Sequence, residues 1–207
     1  MINPQLRKPS EKSLLKFLDV QRGLDFTYPG VGATAPGGEF PVGYAVDRTS
    51  IALGNGRQVF AAARRGIEAW TQFDLGWCEA WPRSTPFRPG EVVAVAARSM
   101  GMWWACAARI VYVVDETSGQ GDAEAMKFGF AYGTLPGHVE RGEELFLIEW
   151  NRATDAVAYR ILAFSRPRHP LARLGRPLVR RLQRRFREDS AAAMLRWVQH
   201  AASALRA

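Results

Sequence analysis

The chain has 207 residues, 47% of them apolar and 23% charged, with a formal net charge of +8. That length suits one domain with a sizeable core, and the ordinary apolar share excludes both a disordered chain and a fibrous one. No apolar run approaches the roughly 18 residues of a membrane-spanning helix, and the first residues lack the apolar segment of a secretory signal, so a cytoplasmic location is expected.

The first forty residues read as irregular, with a short helix over Leu14–Val20 and breaker-rich pieces at Asp25–Thr34 and Pro36–Gly38. Gly30-Val31-Gly32 is no phosphate loop, because no Lys-Ser/Thr follows it and no strand-to-helix junction surrounds it. Val42–Leu53 alternates as a strand. Asn55 is placed to cap a helix over Arg57–Gln72, whose Phe60, Ala63, Ile67 and Trp70 share one face. Trp77–Trp81 is extended, and a Pro-rich loop follows it. Further strands are expected over Glu91–Arg98, Trp103–Glu116, Ala125–Leu135, Glu143–Trp150 and Ala156–Ser165, with hairpin turns at Thr117–Asp122 and Asn151–Asp155. The chain closes with a helix. Leu171, Leu174, Leu178, Leu182, Phe186, Ala193, Trp197 and Ala201 form its expected apolar stripe, with Pro170 or Pro177 in the first turn.

Charge is concentrated in that last segment. Residues 166–207 hold eleven Arg against Glu188 and Asp189, whereas the rest of the chain carries 17 basic and 18 acidic groups. Arg173, Arg180, Arg181, Arg184 and Arg187 fall mostly off the apolar stripe. They form either a solvated polar face or a surface for an anionic partner. A membrane surface suits them better than nucleic acid, since no aromatics are interleaved with the arginines and no base-reading motif is present.

Successive hairpins imply an antiparallel sheet, and the apolar face of the last helix needs that sheet as a partner. The expected class is α+β: a curved antiparallel sheet of about seven strands wrapped around a long C-terminal helix. This order resembles the helix-grip fold of the START-like superfamily, which includes polyketide cyclases and the birch-pollen-allergen type. That resemblance implies a cavity for a small apolar or amphipathic ligand. The segments Asp25–Thr34, Leu53-Gly-Asn-Gly56, Phe128–His138, Gly142-Glu-Glu144 and Phe164-Ser-Arg-Pro167 are similar to a bacterial and plant family called domain of unknown function nineteen-ninety. The similarity runs from Leu24 to Met194. It implies a lead-in over 1–23, a single domain over 24–207 and no particular activity.

The segment Tyr132–Glu144 gathers the most chemistry. His138 and Glu144 are the candidate acid and base of a cyclase, hydratase or isomerase. A turn in which His138 bonds neighbouring backbone explains the same residues without chemistry. Tyr28, Trp77, Trp104, Phe130, Tyr132, Thr134 and His138 are the candidate ligand-lining residues, and core packing explains the tryptophans equally well. One histidine with scattered glutamates does not make a zinc or iron site. No metal or cofactor is therefore expected, and Cys78 and Cys106 read as buried, reduced thiols. Ser165 lacks a nucleophile-elbow setting. Ligand binding without chemistry is the leading expectation, ahead of the enzyme and of a module that docks on anionic partners.

Overall fold

From Val92 to Pro167 the alternating segments pair in succession, each with the next. The computed structural model describes residues 2–118, 125–168 and 176–204. In chain order the elements are β1 (Ile2–Gln5), α1 (Glu11–Gln21), β2 (Ala45–Asn55), α2 (Arg57–Glu68), a short 3-10 turn (Thr71–Phe73), β3 (Cys78–Trp81), β4 (Val92–Ser99), β5 (Met102–Ser118), β6 (Ala125–Thr134), β7 (Glu140–Asn151), β8 (Ala156–Pro167) and α3 (Arg176–Ala204). The strands form one antiparallel sheet in the order β2-β8-β7-β6-β5-β4-β3. The short β1 pairs with β5 beyond the end of β6. The sheet thus has eight strands rather than about seven, and the extra one is a four-residue piece too short to show alternation.

The inner face of the sheet is covered by α2 and α3, and the main core lies between them. This is the helix-grip architecture. The outer face is covered by α1, whose Leu14, Phe17 and Leu18 pack on Val92, Ala94, Ala105, Ala107 and Leu135. It is also covered by the loop before β2, whose Tyr28 and Ala33 pack on Phe164. The lead-in is therefore an ordered helix, longer than the expected Leu14–Val20, with Ser10 as its cap. One extra residue in β5, between Ile110 and Tyr112, switches which face each side chain takes. Ala108 and Ile110 face the core before it, Val113 faces the core after it, and Tyr112 turns outward to Thr34.

Phe60, Ala63 and Ile67 of α2 are buried as the spacing predicts. The helix ends at Glu68, short of Gln72, because Trp70 adopts a left-handed backbone (φ 57). Its ring then stacks on Phe87 at 5.0 Å. Asn55 closes β2, and the helix cap is Gly56, also at positive φ. The apolar stripe of α3 differs from expectation as well. Leu178 is 40% exposed and Trp197 37% exposed, whereas Ser190, Met194 and Val198 are buried. The reason is that α3 lies against α2 as well as the sheet, so the buried face includes positions between the two. Trp197 crosses Gly66 of α2, where an added Cβ would sit 2.8 Å from the indole Cδ1, and donates its indole N–H to the Ala62 carbonyl at 2.9 Å. Pro177 lies in the first turn of α3, where its missing N–H costs nothing. Leu171, Leu174, Arg173, His169, Pro170 and most of the Thr117–Asp122 turn lie outside the described residues.

Candidate functional site

Two adjacent glutamates on β7 face opposite sides of the sheet, since side chains alternate along a strand. Glu143 points outward and is buried. Its carboxylate accepts the Tyr28 hydroxyl at 2.8 Å, the Gly32 N–H at 2.7 Å, the Thr34 N–H at 3.0 Å and the Thr34 hydroxyl. Thr34 is bonded in turn to the Tyr112 hydroxyl at 2.8 Å. Gly133, beside Glu143, has no room for a side chain, because a Cβ would fall 1.9 Å from the Tyr28 hydroxyl oxygen. The Tyr-Pro-Gly-Val-Gly-Ala-Thr segment and the Gly-Glu-Glu segment are thus two halves of one clamp. Burial first, and then Glu143, push the Tyr28 phenol far above its ordinary range.

Glu144 points inward and accepts the Tyr132 hydroxyl at 2.9 Å. Burial raises its pKa to about 7, against the lowering effects of the Tyr132 bond and of Arg187; the nearby charges of Glu140 and Asp47 add to the rise. Tyr159 lies close by, bonded to Ser190 of α3 at 3.0 Å. Cys78 and Cys106 are free and buried, and burial pushes the Cys106 thiol up to about 11. Both are therefore thiols rather than nucleophilic thiolates at neutral pH.

Toward the start of β7 the inner face opens into a cleft of about 480 Å³ between the sheet and the first turns of α3. Gly43, Ala45, Glu140, Ser165, Arg166, Pro167, Val179, Arg180 and Gln183 line it. The Gln183 amide donates to both Glu140 oxygens, at 2.7 and 2.9 Å, and to the Ser165 hydroxyl at 2.8 Å. Both terminal nitrogens of Arg180 grip the Asp47 carboxylate, one of them at 2.9 Å, and Arg187 approaches the same carboxylate at 3.4 Å. Burial raises the pKa of Glu140, while Gln183 and Arg180 oppose the rise. Glu144 is two inward-facing positions from the cleft carboxylate, on the way to the aromatic core.

The sequence-derived candidates are dispersed around this arrangement. Tyr132 and Glu144 meet. His138 lies in the β6–β7 turn, where its Nδ1 accepts the Glu140 N–H at 3.0 Å and its own N–H bonds the Leu135 carbonyl. Burial, aided by Arg168, lowers the His138 pKa to about 4, so the ring is neutral at ordinary pH. Tyr28 is in the outer clamp. Thr134 bonds Thr27 at 2.7 Å and receives the Gly142 N–H at 3.0 Å. Phe130 is fully buried among Trp70, Phe87, Tyr132 and Phe146, with ring centroids 4.7–6.3 Å away. Trp77 donates to Asp189 of α3 at 2.7 Å and lies under the Arg185 guanidinium. Trp104 donates to the Ser99 carbonyl at 3.4 Å. None of these ligand candidates lines the cleft. Of the named arginines, Arg180 and Arg187 serve Asp47, while Arg181 and Arg184 are exposed.

Asp47 and Gln183 belong to no sequence motif, and Ser165 reads from sequence only as a serine without a nucleophile setting. Gln183 interrupts the Arg run on the stripe side of the helix, and that was the available signal. Among the described residues, no group of three or more His, Cys, Asp or Glu is arranged to hold a metal ion, and no helix is long and apolar enough to cross a membrane.

Comparison with known proteins places the chain. A UPF0548 protein of Dictyostelium discoideum is 36% identical over 208 residues, covering 93% of this chain and 94% of the relative. One of Deinococcus radiodurans is 31% identical over 201 residues, covering 92% and 96%. One of Arabidopsis thaliana is 32% identical over 158 residues, covering 75% and 74%. Among solved structures, Ara h 8.0201 aligns with a TM-score of 0.46 at 12% identity, over 74% of this chain and 99% of that one. Human STARD10 aligns with a TM-score of 0.46 at 11% identity, over 97% and 85%. Likeness that distant carries nothing about what this chain binds. A family model described as "Domain of unknown function (DUF1990)" matches residues 27–193, a span that contains the outer clamp, both glutamates and the cleft, and the chain belongs to that family.

Proposed function

We propose that the protein binds a small amphipathic molecule in the cleft between α3 and the β7–β8 end of the sheet. The observation that carries this reading is the cleft itself. Its volume of about 480 Å³ falls within the range of small-molecule sites. Its wall combines Ala45, Pro167 and Val179 with Glu140, Ser165 and Gln183. The inner aromatics Phe73, Phe130, Tyr132 and Phe146 pack on one another, which favours a ligand space at the mouth of the grip. Titration with octanol, followed by amide chemical shifts, tests this. Shifts concentrated at Ala45, Ser165, Val179 and Gln183 are expected. A saturating titration that leaves those amides unmoved overturns the reading.

Proton-transfer chemistry is a second reading, favoured by the Tyr132–Glu144 pair. A carboxyl that titrates near neutral pH exchanges protons readily with a bound molecule. Here Tyr132 takes the partner role expected of His138. Mass spectrometry of small molecules that copurify with Glu144→Gln and with the wild type separates the two readings. A compound retained only by the variant supports chemistry, and identical retention removes it. Docking of Arg181 and Arg184 on an anionic bilayer is a third reading. It requires binding to anionic vesicles that weakens steeply with salt.

A further inference from the structure

Among the described residues, the guanidiniums beside the cleft are unevenly shared between its carboxylates. Asp47, Glu140 and Glu144 face Arg180 and Arg187, and both guanidiniums are directed at Asp47. Glu140 has no ion-pair partner among the described residues. Its two oxygens share one neutral donor, the Gln183 amide, which also serves Ser165. Arg166 lines the cleft too, but its side chain is exposed and screened by solvent. A carboxylate whose only direct donor is neutral gains from a counter-charge, and the open side of the half-buried Glu140 faces the cleft.

Resting on the cleft-binding reading above, we propose that the cleft selects molecules carrying a protonated amine, with the Glu140 carboxylate receiving the ammonium N–H groups. A primary ammonium brings a positive charge and three donors to a carboxylate that has spare acceptor positions. Ala45, Pro167 and Val179 then cover the apolar part of the molecule. A carboxylate-bearing ligand meets like charge at Glu140, and an alcohol bonds there without balancing the charge.

Calorimetric titration at pH 8 with octylammonium, octanol and octanoate, three probes with one tail, tests the proposal. Octylammonium is expected to bind about tenfold or more tighter than octanol, with octanoate weakest. In Glu140→Gln that preference is expected to vanish while octanol affinity stays within about twofold of wild type. Equal affinity for octanol and octylammonium, tighter octanoate binding, or a preference that survives Glu140→Gln overturns the ammonium assignment and leaves cleft binding standing. Failure of all three probes to bind the wild type overturns the cleft reading along with it. Should Glu140→Gln not fold, the ranking of the three probes on the wild type decides the assignment alone.

Discussion

Glu143 and Glu144 differ only in which face of β7 they take, yet their surroundings demand different behaviour. Glu143 accepts four hydrogen bonds from one loop. Glu143→Gln turns one accepting oxygen into a donor against donors, and is expected to cost about 3 kcal/mol in urea unfolding. A loss under about 1 kcal/mol would mean that the clamp contributes little. Glu144 and His138 make opposite contributions to pH dependence. Glu144 moves from an ordinary 4.5 up to about 7, so the folded state holds its proton longer and stability falls as pH rises through that window. His138 moves from 6.5 down to about 4, so the unfolded state takes the proton first and stability rises with pH between those values. In the wild type the two slopes oppose each other between pH 4.5 and 6.5. Melting temperatures of Glu144→Gln should rise with pH there, and those of His138→Asn should fall. Parallel profiles for the two variants would refute the assignment. Gln72 is fully buried, and among the described residues neither of its side-chain amide atoms has a bonding partner. Gln72→Met is therefore expected to stabilise the fold by about 1 kcal/mol or more in thermal melts, and a destabilised variant would reveal an unseen partner for the amide.

Between elements, α2 and α3 fit closely at Gly66. Ala is favoured over Gly inside a helix by about 1 kcal/mol. At Gly66 that gain is opposed by the Trp197 indole, which is itself tied to the Ala62 carbonyl. Gly66→Ala is expected to be no more stable than wild type. In a Trp197→Ala background the same substitution should recover about 1 kcal/mol, a coupling that a double-mutant cycle reads directly. Additive effects would show that the two helices do not meet there. The apolar period of α3 correctly predicted a helix buried on one side, and Phe186 and Ala193 were on the correct face. The exchange of Leu178 and Trp197 for Met194 and Val198 was not legible, since periodicity gives a face but not the second helix that shares it.

Across the whole molecule, α1 of the lead-in forms part of the sheet's outer cover. Deleting residues 1–23 uncovers Val92, Ala94, Ala105, Ala107 and Leu135, and is expected to lower the melting temperature and promote aggregation in light scattering. A truncated chain as stable as the full one would confine the lead-in to an accessory role. The sequence by itself determined the strand series, the terminal helix and the helix-grip order, because hydrophobic period and turn residues act locally and recur along the chain. It also marked Tyr132–Glu144 and Asp25–Thr34 as special without revealing that Glu143 joins them. Only the tertiary structure decided that Glu143 builds a clamp while Glu144 meets Tyr132, since one step along a strand reverses the face. It alone brought Ala45, Glu140, Ser165 and Gln183 to one cleft, because they come from four elements whose adjacency depends on strand order and helix packing rather than on any local pattern.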